Sequence, residues 1–120
     1  MKRETWKKRI TEATKAAGTY RDFFVPVIDT LAGILEKRDD AQAELDVSED
    51  GLIVKHTNVA GKANYEQNPI VRLINDLNRD ALAYWRDLGL TPAGLKRIDE
   101  QSMKPKKRSA LADALKELGD

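Results

Sequence analysis

Lys2, Arg3, Lys7, Lys8 and Arg9 crowd the first nine positions, in the stretch KRETWKKR, with Trp6 set among them. Residues of this type bind phosphate. Each Lys or Arg that neutralises a nucleic-acid phosphate releases a counterion, so such binding is strongly salt-dependent. The stretch also begins a helical pattern, and positive charge at a helix N-terminus opposes the helix dipole by about 0.3–1 kcal/mol per residue. A sequence that tolerates this cost has a use for the charge. Of the basic stretches, this is the stronger DNA-contact candidate, because a helix carries it. The run KPKKR at 104–108 serves equally well as a tether.

Catalytic chemistry is poorly provided for. His56 is the single histidine and the chain has no cysteine. There is no thiol nucleophile, disulfide framework or zinc–thiolate site, and no pair of histidines to hold a metal. His56 reads as an ordinary surface residue. Asp39-Asp40 and Glu49-Asp50 read as a solvated helix end and a turn, with nothing pairing them into a catalytic dyad. The Gly-Lys of AGKAN lacks the earlier Gly and the following Ser or Thr of a phosphate-binding loop. No catalytic residue, metal or cofactor is expected.

The elements that must position the basic cluster are mostly helical. Residues 3–17 carry Trp6, Ile10, Ala13 and Ala17 at spacings of three and four, a narrow apolar stripe, and Gly18 is placed to cap the helix. Residues 19–46 hold the longest helical pattern. Pro26 does not sit comfortably deep inside a helix, so either a turn at TYRDFF precedes a helix starting near Pro26 or the helix kinks there. Ile28, Leu31, Leu35, Arg38, Gln42 and Leu45 then recur at the a and d spacing. Asp50-Gly51 followed by Leu52-Ile53-Val54 predicts a small β-hairpin or an extended loop. Two strands alone are marginal, so a hairpin here should pack on the helices.

Asn68-Pro69 opens a second strong helix, with Asn at the cap and Pro at the first helical position. Its apolar face runs Ile70, Leu73, Ile74, Leu77, Ala81, Tyr84, Trp85 and Leu88. Gly89 ends it and Thr91-Pro92 begins a short helix through Ile98. Pro105 breaks the chain again, and a last helix from Ser109 presents Leu111, Leu115 and Leu118 before Gly119. The fold class expected is mainly α: a helical domain with a long central helical hairpin and a small β-hairpin or extended insertion. Residues 1–18 form a basic N-terminal helix, 19–98 a central oligomerisation domain, and 99–120 a basic linker and C-terminal helix.

At 120 residues, with 41% apolar and 34% charged positions, the chain makes one modest domain with a thin core, which oligomerisation would supplement. A charged start and the lack of a long apolar run point to a soluble cytoplasmic protein with no membrane role. The net charge of +1 conceals segregation: residues 1–18 carry +4, residues 19–50 carry −6, and residues 104–120 carry +2. Such asymmetry suits nucleic acid or an oppositely charged neighbouring subunit.

The corner RDLGLTPAGLKRI, residues 86–98, has the outline of a helix-turn-helix. A recognition helix there would offer Lys96 and Arg97 to base edges, but Asp99 and Glu100 would face phosphates. A structural joint is the better reading, with Leu90 tucked between the helices.

At NPIVRLINDLNRDALAYWRDLGLTPAGLKRI the chain resembles the phage terminase small subunits, the DNA-recognition components of packaging in tailed phages. The structural motif is Asn68-Pro69 followed by Gly89-Leu90-Thr91-Pro92. Upstream, the helix from Tyr20 to Leu45 and then Gly51-Leu52-Ile53-Val54 also fit, so the resemblance spans roughly residues 19–98. In one place the chain departs: the family often continues Thr-Pro-Ala with Ser-Arg, where Gly94-Leu95 stand here. The resemblance implies a non-catalytic homo-oligomer, a ring, acting in the cytoplasm of an infected bacterial host. It would bind viral double-stranded DNA and engage the terminase large subunit, which carries the ATPase and nuclease. It also implies DNA contact through Lys2, Arg3, Lys7, Lys8 and Arg9, and large-subunit contact through Leu111, Leu115 and Leu118. The alternatives are a small dimeric helix-turn-helix DNA-binding regulator and a purely structural oligomerisation module.

Overall fold

A computed structural model describes residues 1–57, 59–101 and 115. Helix α1 spans Arg3–Ala17. A 3-10 turn at Asp22–Phe24 leads into α2, Val25–Asp46. Strands β1 (Ile53–Thr57) and β2 (Ala63–Gln67) follow, then α3, Pro69–Asp87. A further helix, α4, is described over residues 92–101. The turn-before-Pro26 alternative is the one adopted: Pro26 occupies the first turn of α2, where its missing N–H has no partner to lose. The expected fold class is the observed one, and the insertion is a true hairpin.

α2 is the central rod. α1 packs on one side of it and α3 on another. Ile28, Leu31, Ala32 and Leu35 of α2 are buried at helical spacing and meet Ile10 of α1 and Ala81 and Leu88 from the α3 end. Trp6, Tyr20, Phe24, Tyr84, Trp85 and Leu90 close over this cluster. Leu90, at the corner, packs against this cluster, which includes Leu88. The a/d pattern of α2 is core only as far as Leu35. Arg38 instead lies over the Trp6 ring, 5.5 Å from its centroid, and Gln42 donates to Asp46 on the helix surface.

The hairpin departs from expectation. β1 and β2 pair antiparallel, with Lys55 opposite Tyr65, but every residue of β2 is exposed. Leu52, Ile53 and Tyr65 keep more than half of their surface in solvent. Among the described residues, the helices of its own chain do not cover this ribbon. It is anchored at its base by Asn68, whose backbone N–H donates to Leu52 O at 2.8 Å and whose side-chain amide donates to Gly51 O at 2.8 Å. The same side chain accepts from Ile70 N, capping α3. Asn68 is buried, and both ends of its amide are used. The residue that reads from sequence as a helix cap also pins the hairpin.

Candidate nucleic-acid interface

The five basic residues of the N-terminal cluster sort onto different sides of α1. Arg3, Lys7, Ile10 and Thr14 follow one another at steps of four, three and four, which puts them on one face of a helix. That face meets α2. Arg3 donates to both carboxylate oxygens of Asp29, at 3.1 and 2.7 Å, and Lys7 lies 3.7 Å from the same carboxylate. Arg3 N–H also donates to Glu36 at 2.7 Å. Bidentate Arg–carboxylate pairs are among the stronger charge-assisted contacts. Lys2, Lys8 and Arg9 are exposed and make no ion pair with a described residue. With Lys15, whose ammonium lies 4.9 Å from the Tyr20 ring centroid, they form the outward basic surface of α1.

Asp39 organises the neighbouring contacts. It accepts from Trp6 Nε1 at 2.7 Å, from the Met1 amino group at 3.1 Å and from Arg38 at 3.0 Å. It is a half-buried residue inside α2, which corrects the reading of Asp39-Asp40 as a solvated helix end. Partial burial works against its charge, yet the hydrogen bonds from Trp6, the Met1 amino group and Arg38 together hold its carboxyl below the ordinary value. Asp29 is also held low, chiefly by the hydrogen bonds from Arg3.

For both groups the folded value lies below the unfolded one. Their stabilising contribution is therefore complete above the unfolded carboxylate range and is lost as pH falls through the folded values. We expect α1 to loosen from α2 below about pH 4, where ordinary carboxylates take up protons. The Trp6 indole N–H resonance followed by NMR should report this. Asp39→Asn should make the Trp6 environment less dependent on pH in that range. An indole resonance that ignores pH in the unsubstituted protein would contradict the assignment.

The basic surface is held in place by a shared joint. α1 ends at Gly18, φ +75°, with Gly18 N–H donating to Lys15 O and Thr19 N–H to Thr14 O. α3 ends the same way: Gly89 N–H donates to Arg86 O and Leu90 N–H to Trp85 O. Both are Schellman caps, which suit a glycine in the left-handed region. The buried Thr19 hydroxyl ties the two ends together by donating to Leu88 O at 2.7 Å. Thr91 then caps α4, its Oγ1 accepting from Gly94 N–H at 3.1 Å. Lys96 and Arg97 are exposed on α4, but so are Asp99 and Glu100, so its described surface has no net positive charge.

Gly94 has a packing reason. A Cβ built there would lie 2.0 Å from the carbonyl oxygen of Arg86. In this arrangement α4 crosses α3 too closely for a side chain at position 94. Of the three leucines expected to contact a partner, Leu115 is helical and 61% exposed. Leu111 and Leu118 lie outside the described residues, as do KPKKR, the Ser109 cap and the His56 side chain.

Apolar periodicity alone places Trp6 and Ile10 on the inner face of α1, but it does not place Arg3, Lys7 and Thr14 beside them. The signal that could have found the two cations is the matching +4 and −6 charge of the adjacent segments. Among the described residues, no group of acids and histidines gathers as a metal site, and no helix is long and apolar enough to cross a membrane.

The family model for the small subunit of phage terminase matches residues 3–105. No curated protein and no solved structure gives a match. The matched span takes in α1, the central helical hairpin with its β-ribbon, and the Gly-Leu-Thr-Pro corner. The chain belongs to the phage terminase small-subunit family, whose role is in the packaging of phage DNA.

Proposed function

We propose that this chain is the non-catalytic DNA-recognition subunit of a viral terminase. It assembles into a homo-oligomeric ring in the cytoplasm of the infected host, binds viral double-stranded DNA, and engages the large ATPase/nuclease subunit through its C-terminal helix. The observation that carries the DNA-binding part is the division of the basic cluster. Arg3 and Lys7 brace α1 against Asp29, and this leaves Lys8 and Arg9 facing outward on a fixed helix, with Lys2 exposed at its N-cap. A rigid set of cations meets phosphates without a further ordering cost, whereas a mobile basic tail must be ordered.

The test is DNA affinity measured across a salt series with the full chain. Replacing Lys2, Lys8 and Arg9 together by Gln should lower affinity by roughly 10- to 100-fold, and reduce the slope of log affinity against log salt by about 0.9 for each phosphate no longer neutralised. The fold should be undisturbed, because these side chains make no ion pair with a described residue. If instead that triple variant binds normally while Lys96→Ala with Arg97→Ala abolishes binding, the dimeric helix-turn-helix regulator is the correct reading. Native mass spectrometry tests the assembly: a closed oligomer larger than a dimer is expected, and a dimer would rule out the ring.

A further inference from the structure

We infer that the β-ribbon of one copy docks into a groove between α2 and α3 of the next copy, a head-to-tail interface that builds the ring. The inference rests on the oligomer proposed above and names its interface. Two features of the same chain are left uncovered and are complementary.

The first is the ribbon. The register places Ile53, Lys55 and Thr57 on one face together with Ala63, Tyr65 and Gln67. Ile53 is 59% exposed and Tyr65 is 70% exposed. An isolated two-stranded ribbon is marginal in water and needs a surface to pack on. Among the described residues, its own helices do not supply one.

The second is a groove of about 260 Å³, lined by Lys37, Asp40, Ala41, Glu44, Leu73 and Leu77. It arises because the buried stripe of α2 stops at Ala41, while the apolar face of α3 continues through Leu73, which is 49% exposed. The volume is below that of clefts which hold drug-sized ligands and suits one large side chain. Its floor is apolar and its rim carries Asp40 and Glu44 against one cation, Lys37, for a net negative charge. The ribbon face offers an aromatic ring, an aliphatic side chain and one cation, Lys55. Apolar surface thus meets apolar surface, and Lys55 meets the acidic rim. All six lining residues belong to α2 and α3, so the ribbon of the same chain does not fill the groove. Because the two surfaces differ, copies join head to tail, which yields a ring when the rotation closes.

The chain has no cysteine, so an engineered pair reports cleanly. Tyr65→Cys with Leu73→Cys in one full-length chain should give, on oxidation, a ladder of covalent multimers ending at the native oligomer. Tyr65→Ala should raise the concentration at which the oligomer dissociates by about tenfold or more, as truncating a buried aromatic anchor does. Lys55→Glu should weaken assembly as well, and adding Asp40→Lys with Glu44→Lys should restore it. An oligomer that persists unchanged in Tyr65→Ala, with only monomeric product from the cysteine pair, would overturn the ribbon-in-groove interface and leave the ring itself standing. A parent protein that stays monomeric at every concentration would overturn both.

Discussion

Gly94→Ala is expected to destabilise the protein by about 3 kcal/mol, the upper part of the range for overpacking a tightly packed site. The sign is the unusual part. Inside a helix, Gly to Ala normally stabilises by about 1 kcal/mol, because it reduces the freedom of the unfolded chain. Here the new methyl would lie 2.0 Å from Arg86 O, 2.8 Å from Arg86 C and 3.0 Å from Arg86 Cα. All three are backbone atoms and cannot swing aside. Arg86 O is already fixed by accepting from Gly89 N–H in the α3 cap. Relief therefore requires α4 to move off α3, and that movement pulls on the Thr91–Gly94 cap and on the Ile98 side chain beside Gly89.

Gly33→Ala in α2 is the matching control. Its nearest neighbour would be the Arg3 guanidinium at 3.3 Å, the far end of a flexible side chain. That variant should stay within about 1 kcal/mol of the parent. Denaturant unfolding of the two variants separates the cases. A Gly94→Ala protein as stable as the parent would mean that the corner does not hold α4 against α3 as described.

The legible and illegible parts of this molecule divide along a physical line. Local signals are legible. Asn68-Pro69, Gly89 and Thr91-Pro92 each act within a few residues, so their caps can be placed from sequence; Asp50-Gly51 marks the turn into β1 and leaves a hairpin and an extended loop both open. Burial that depends on distant partners is less so. Arg38 and Gln42 fall in the a/d frame of α2, yet α1 begins at the height of Arg38 and offers it the Trp6 ring in place of a core. Asp39 looks solvated in sequence because its partners, Met1 and Trp6, lie more than thirty positions away in the chain. The basic cluster is identifiable as a cluster, but its division into inward and outward members requires the position of Asp29. The hairpin illustrates the converse: an expectation of packing, sound for a monomer, meets a ribbon that the described helices leave bare.

Ile10→Ala separates the scaffold from the binding surface and should do so with a large effect. Ile10 is 1% exposed and sits in the cluster with Ile28, Leu31, Leu35 and Leu88. Truncating such a side chain costs about 2–4 kcal/mol, the lost transfer energy plus the cavity left behind. Much of a typical domain stability of about 5–15 kcal/mol would go with it. The loss should be uneven. Beyond Ile10, α1 is held by Trp6 and by ion pairs on its inner face, so its amide protons should exchange sooner than those of α2. DNA binding then gives the decisive contrast. Lys2, Lys8 and Arg9 are untouched in this variant, so the same phosphates are neutralised and the salt slope should match the parent. Affinity should fall only by the cost of re-docking the loosened helix, measured under conditions where the variant remains folded. The triple Gln variant should show the opposite pattern, a reduced slope on an intact fold. If Ile10→Ala reduces the salt slope as much as removing the three cations does, α1 is not the rigid carrier of the basic surface, and the DNA-binding residues must be sought on another face.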